Sequence, residues 1–332
     1  MDKLSAAEKQ ERQNPEPRDE WGHIKALRAC KRMICVVVAM LMPGSFCFAA
    51  GTDVPRFMPG KQVGTVQTKE IKEASGIVAS RMNRGVLWVH NDSGNSARIY
   101  ALNSEGKLLG TYRLKGIRCR DWEDIAIGPG PDPQRSYLYI GDIGDNDGKY
   151  PYITVYRVAE PAVDPNVALS ETQIGPVEAI ELKYPDGPKD AETLLVDPLN
   201  GDIYVIAKRE LFCRVYRAAH RPSTATQTAM ELVATLPWGF AVGGDVSPDG
   251  QWVIVRGPFN ASLWRRPEGK ELWRAFTTEG FSLQLMRERQ GEGICFDQDG
   301  RGYFTIGEQT RPPIYYFAGS SSSQKSNTEP SN

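Results

Sequence analysis

Histidine is scarce. Three occur in 332 residues (His23, His90 and His220), and only His90 falls near other candidate functional side chains. That excludes a histidine-rich metal centre and most Ser-His-Asp arrangements. Charge of one sign is also lacking. Forty Lys and Arg face 41 Asp and Glu, a balance that argues against binding driven by phosphate contacts, and no nucleic-acid partner is expected. Beyond residue 60 no long amphipathic helix is visible. What is plentiful is Gly (32) and Pro (23), which set the tight turns of a chain built from short strands.

The first 50 residues read as a targeting segment. Lys25, Arg28, Lys31 and Arg32 precede an apolar core at about 33–48, too short for a comfortable membrane span. It ends in Cys47-Phe48-Ala49 or Phe48-Ala49-Ala50, as a signal peptidase requires; Phe46 is too bulky for a lipoprotein site. Translation starts at Met1, giving a long positive region, or at Met33. A periplasmic or secreted protein is expected, with no membrane attachment after cleavage. Cys119, Cys213 and Cys295 then remain, an odd number without a disulfide framework; the last two, in apolar runs, are expected as buried thiols. Residues 320–332 are Ser-rich and polar, and disorder is expected there.

Residues 51–319 repeat. A first strand follows an acidic or Gly-rich turn in EASGIVAS (73–80), DWEDIAIG (121–128), DAETLLVD (190–197), GGDVSPDG (243–250) and GEGICFDQDG (291–300). Second and third strands follow each, as in YLYIGD and YITVYRV. The first-strand anchors Ile77, Ile125, Leu194, Val246 and Ile294 stand 48, 69, 52 and 48 residues apart, the period of propeller blades, with an insertion in the longest. Fourth strands are expected in KLLGTYRL, PVEAIEL, MELVATL and ELWRAF (271–276). The fifth unit lacks one, and KQVGTVQT (61–68) is available to complete it. The expected fold is an all-β propeller of five four-stranded blades closed by an N-terminal strand. Six blades follow if Thr277 to Gln290 hides a further unit; a β-sandwich is the bland alternative.

Strand alternation puts the loop entering each first strand and the loop leaving each second strand on one face. The first set carries Glu73, Asp121, Glu123, Asp124, Asp190, Glu192, Asp245 and Glu292. The second carries His90, Asn91, Asp92, Asp142, Asp145, Asn146, Lys208, Arg209, Arg256 and Glu308. Carboxylates converging on an axis repel unless a cation joins them, and oxygen ligands suit Ca²⁺. Glu123, Glu192 and Glu292 each stand two residues before a buried Ile or Leu and are expected to point inward. Lys208 and Arg256 are expected as counter-ions or as grips for an anionic group. Trp88, Trp122, Trp252 and Trp264 fall at strand-like positions and are expected mostly in inter-blade cores, with the mouth the alternative place for Trp122 beside Glu123.

EASGIVAS, NDSGN, DWEDIAIG, YIGDIGDN, DAETLLVDP, DVSPDG and QGEGICFD resemble exported bacterial β-propellers akin to the phytase-like (esterase-like) domain, and more distantly lactonase-like and WD-repeat propellers. The resemblance covers about residues 61–319. It implies Ca²⁺ at an acidic mouth and phosphomonoester hydrolysis. Asp121, Glu123, Asp190, Glu192, Asp245 and Glu292 would then face the metal, with Lys208 and Arg256 holding phosphate. Two functions follow: a monomeric calcium-binding module for a peptide, glycan or cationic ligand, or a calcium-dependent hydrolase of a small phosphoester or ester.

Overall fold

The computed structural model describes residues 54–94, 96–164, 170–220 and 222–320. The expected signal peptide and nearly all of the Ser-rich tail lie outside them. The chain divides into Met1–Asp53 and Val54–Asn332; all that follows concerns the second unit.

After β1 (Lys61–Thr65), blade 1 is formed by β2 (Ala74–Ala79), β3 (Val86–Asn91), β4 (Arg98–Asn103) and β5 (Leu108–Leu114). Blade 2 comprises β6 (Trp122–Pro129), β7 (Ser136–Asp142), β8 (Ile153–Ala159) and, past β9 (Glu171–Ile174), β10 (Val177–Lys183). Blade 3 is β11 (Ala191–Val196), β12 (Ile203–Ala207), β13 (Arg214–Ala218) and, past β14 (Thr228–Ala229), β15 (Glu231–Thr235). Blade 4 is β16 (Gly243–Val246), β17 (Trp252–Arg256), β18 (Ala261–Arg265) and β19 (Phe281–Ser282). Blade 5 is β20 (Gly291–Phe296), β21 (Gly302–Gly307) and β22 (Pro313–Ala318), completed by β1, which pairs antiparallel with β22.

The inner strands close a ring. β2 packs on β6, β6 on β11, β11 on β16, β16 on β20, and β20 back on β2. Each seam between blades holds its own apolar core, five in all among the described residues. Trp88 and Trp122 fill the seam of blades 1 and 2, and Trp264 that of blades 3 and 4. A blade is thus covered on both faces, and strands such as IYVIA (203–207) are apolar throughout rather than alternating. Two outer edges gain parallel cover, β9 on β5 and β14 on β10, which removes exposed ladder groups.

The protein is a five-bladed propeller, with the closing strand where the sequence placed it. The fourth strand of blade 4 is not where it was expected: ELWRAF forms a 3₁₀ helix, Leu272–Thr277. Its buried residues Leu272 and Ala275 stand one three-residue turn apart, with Phe276 next to Ala275 on the same side. Phe276 meets Trp264 edge-on, 5.3 Å between centroids. The fourth strand of blade 4 is β19 instead, a two-residue piece inside the stretch that could have hidden a sixth unit. Trp122 is fully buried in a seam core and does not reach the mouth. Cys119, Cys213 and Cys295 are free thiols, the last two buried.

Candidate functional site

Irregular pairing creates the site. β6 pairs Trp122 with Asp142 and then Asp124 with Gly141, so Glu123 has no ladder partner. β11 skips Glu192 between Ala191 and Thr193, and β20 skips Glu292 between Gly291 and Gly293. β2 has the same irregularity between Ala74 and Ile77, where Ser75 lies. β16 pairs without interruption. A bulge frees one residue from the alternation of its strand and re-aims its side chain. Three bulges carry glutamate, and all three glutamates line a cavity of about 220 Å³.

Blade 1 adds Ser75, Asp92 and Ser93 to its wall, blade 2 Asp121, Glu123 and Asn146, blade 3 Glu192, Lys208 and Arg209, and blade 5 Gln290, Glu292 and Glu308. Six carboxylates face two cations in this cup. Ligand oxygens of Asp92, Asp121 and Glu123 lie within 4.8 Å of one another. Gly144 makes room for two of them: a β-carbon there would lie 2.2 Å from Glu123 Oε1 and 2.4 Å from Asp121 Oδ2. Lys208 Nζ pairs with Glu192. Arg209 pairs with Asp190 at 2.5 Å and donates to Asn146 Oδ1.

The crowding shows in the titration of the cup. Burial, followed by Glu192, Asp92 and Asp121, pushes Glu123 well above the carboxylate range. Burial lifts Glu192 to about 8 despite Lys208, with Glu292 adding to the rise. Burial also lifts Glu292 to about 7, Glu308 reinforcing it and Lys208 opposing it. Asp92, Asp121 and Glu308 rise for the same first reason. Burial disfavours the Lys208 ammonium, but Glu192, Glu292 and Glu123 outweigh it and raise its pKa.

Other sequence candidates stand behind the cup. Asp142 positions Asp121: its Oδ1 accepts the Asp121 N–H at 2.9 Å and meets Arg120 Nε at 3.3 Å. Asp145 uses both oxygens on the N–H groups of Lys149 and Tyr150, so it makes the turn of its own loop. Asp190 accepts the Asp145 N–H at 2.9 Å. Asn91 accepts from the N–H groups of Lys72 and Glu73 and donates to Glu70 O. Glu73 is exposed outside the wall, its carbonyl accepting the Asp92 N–H. His90 is fully buried against Trp122, 5.8 Å between centroids, and burial lowers its pKa to about 4 against the carbonyls of Asn91 and Asp124.

Asp124 and Asp245 serve the ring. Asp124 accepts the N–H groups of Ile125 and, in the next blade, Leu194, at 2.9 and 3.0 Å. Asp245 does likewise for Val246 and Phe296, at 2.8 and 2.9 Å. Each clasps its inner strand to the following one. Asp245 therefore belongs beneath the mouth, as does Arg256, which is 0% exposed. Ser75, Ser93 and Gln290 were not singled out by sequence, although Ser75 holds the place before Gly76-Ile77 that Glu123 holds before Asp124-Ile125.

Fold and site define a five-bladed propeller with an acidic cup at one mouth. No family model and no curated protein matches the chain. Among solved structures it is similar to a gluconolactonase from Xanthomonas campestris, 12% identical, with a TM-score of 0.45 over 81% of this chain and 95% of that one. It is also similar to a chain of the nidogen/laminin complex (12%, TM-score 0.39, 71% and 73% covered). The Pan2 WD40 domain of Neurospora crassa stands at 10% identity and TM-score 0.42, with 80% and 97% covered.

Proposed function

We propose that the cup binds a divalent cation, Ca²⁺, and that the protein is an exported module that binds its ligand at this mouth. The observation that carries the reading is Glu123. It is 6% exposed, lines the cavity, and its carboxylate has no hydrogen bond or ion pair among the described residues. A buried carboxylate without a partner is strongly unfavourable. A cation shared with Asp92 and Asp121 removes that penalty, and an all-oxygen donor set selects a hard ion. The motif resemblance to phytase-like propellers supports the same ion.

Calorimetric titration with Ca²⁺ tests this. Binding is expected for the wild type and its loss for Glu123→Gln, with unchanged circular dichroism. Equal affinity in the two proteins would remove the triad from the account.

Hydrolysis is the second reading, favoured by Lys208 and Arg209 on the wall beside the triad. There a cation could hold an anionic oxygen while the metal activates water. Assays on a generic phosphomonoester and a generic carboxylic ester, with Ca²⁺ and with chelator, decide it; no turnover in any condition excludes hydrolysis of these classes. Export is tested by the mature N-terminus: mass spectrometry of the envelope or medium fraction should find it after Ala49 or Ala50. A chain retaining residues 33–48 would contradict the proposal.

A further inference from the structure

Blade 4 breaks the symmetry of the ring. The other four blades each supply residues to the cavity wall; blade 4 supplies none. Its inner strand opens on Gly243-Gly244 without a bulge. Arg256, which ends β17, is drawn inward by Glu288.

On this side of the mouth the loops carry exposed apolar side chains. Phe259, in the β17–β18 loop, is 91% exposed, and Phe240, in the β15–β16 loop, 57%. Leu211 and Phe212, in the β12–β13 loop, are 79% and 53% exposed. The three loops touch. The Phe240 N–H donates to Lys208 O at 3.0 Å. A β-carbon on Gly239 would lie 2.1 Å from Glu210 O, and one on Gly257 3.0 Å from Phe240 O. The loops form one apolar arc that starts at Lys208, a wall residue, and runs over blade 4. Phe240 has φ 64°, a left-handed backbone that disfavours bulky side chains and suits Gly or Asn. An aromatic ring is kept there against its backbone preference and in contact with water, as happens at binding sites.

We propose that the arc docks an apolar polypeptide segment of a partner protein, and that a Lys or Arg side chain of that segment enters the cup across blade 4 toward Glu292 and Glu308. The proposal rests on the cation-binding reading of the cup. With the triad given to a metal and Glu192 paired with Lys208, Glu292 and Glu308 are the remaining carboxylates of the wall. Gly243 abuts Glu292: a β-carbon on it would lie 2.5 Å from Glu292 O. The strand that follows the Phe240 loop therefore lies directly against the strand that carries Glu292. Charge decides the class of partner, because the two carboxylates left on the blade 5 wall attract a cationic side chain and repel an anionic lipid surface. Phenyl and isobutyl groups offer a sugar no hydrogen bonds, whereas apolar side chains beside a basic one match both halves of the surface.

The test is selection of a random dodecapeptide display library on the full chain in Ca²⁺, followed by fluorescence anisotropy with the enriched peptides. Enrichment of a basic residue flanked by apolar ones is expected. Phe240→Asn with Phe259→Ser should weaken those peptides by at least about tenfold. The same double variant should keep its Ca²⁺ affinity and hold or raise its melting temperature. Absence of the basic-apolar pattern, or undiminished affinity in the double variant, overturns the proposal. So does arc-dependent sedimentation with phosphatidylcholine/phosphatidylglycerol vesicles in place of peptide binding, or a dimer that the double variant dissolves. If arc-dependent peptide binding persists although the wild type takes no Ca²⁺, the metal reading falls alone.

Discussion

The Arg256 guanidinium and the Glu288 carboxylate meet at 2.8 Å in the interior, with side-chain exposures of 0% and 2%. The contact is a close ion pair without hydrogen-bond alignment at those two atoms. Arg256 also donates to Gly293 O at 3.2 Å, and Glu288 Oε1 accepts from Thr305 at 2.9 Å. The pair ties blade 4 to blade 5 and keeps a charge from blade 4 out of the cup.

Removing one partner strands the other. Glu288→Gln should destabilise the fold by about 3–5 kcal/mol, the usual loss when one buried charge stays unpaired. Arg256→Met with Glu288→Leu should recover most of it, because an apolar pair leaves no such charge. Urea unfolding of the three proteins measures this. A single variant as stable as wild type would show that water reaches the pair.

The cup makes stability depend on pH. Glu192 and Glu292 rise from an ordinary 4.5 to about 8 and about 7, so the folded state holds their protons more tightly than the unfolded chain. That contribution is complete below about pH 4.5 and is lost as pH rises through about 7 and 8. In chelator, the melting temperature should fall between about pH 5 and pH 8, and less so in Glu192→Gln/Glu292→Gln. Ca²⁺ should restore it at the upper end. Parallel profiles for the two proteins would place the strain elsewhere.

Gly144→Ala adds one methyl group between two carboxylates. Gly144 is not among the positive-φ positions, so the backbone accepts alanine while the triad must spread. Ca²⁺ affinity should drop by at least about tenfold, with little change in the unfolding midpoint of the metal-free protein. An unaltered dissociation constant in equilibrium dialysis would mean that Glu123 and Asp121 are not used together.

Asp245→Ala separates structure from site. It leaves the N–H groups of Val246 and Phe296 without their acceptor, at a cost of about 1–3 kcal/mol each, and should leave Ca²⁺ affinity intact. Loss of calcium binding in a folded Asp245→Ala protein would return Asp245 to the metal.

Blade number and closure were legible because both depend on period: five anchors recur, and KQVGTVQT supplies the strand that the fifth unit lacks. Glu123, Glu192 and Glu292 were legible by register, each two residues before a buried anchor. Asp245 was grouped with them although it directly precedes Val246, as Asp124 precedes Ile125. One position along a strand reverses the side-chain direction, and that offset separates the clasps from the cup. Arg256 was misplaced for a different reason. Its partner lies 32 residues on, in a stretch without strand pattern, and nothing local announces the pair. ELWRAF was read as a strand because aromatics favour strands, while its burial follows a helical period.

Closure by β1 makes the first strand of the propeller and the last its mutual neighbours, with Lys61 opposite Tyr316. A chain emerging from its N-terminus must carry β1 unmatched until β22 has been made. Contacts that join distant stretches form late. The wheel therefore cannot lock before β22 has been synthesised, and any truncation that removes β22 leaves an open spiral with two sticky ends.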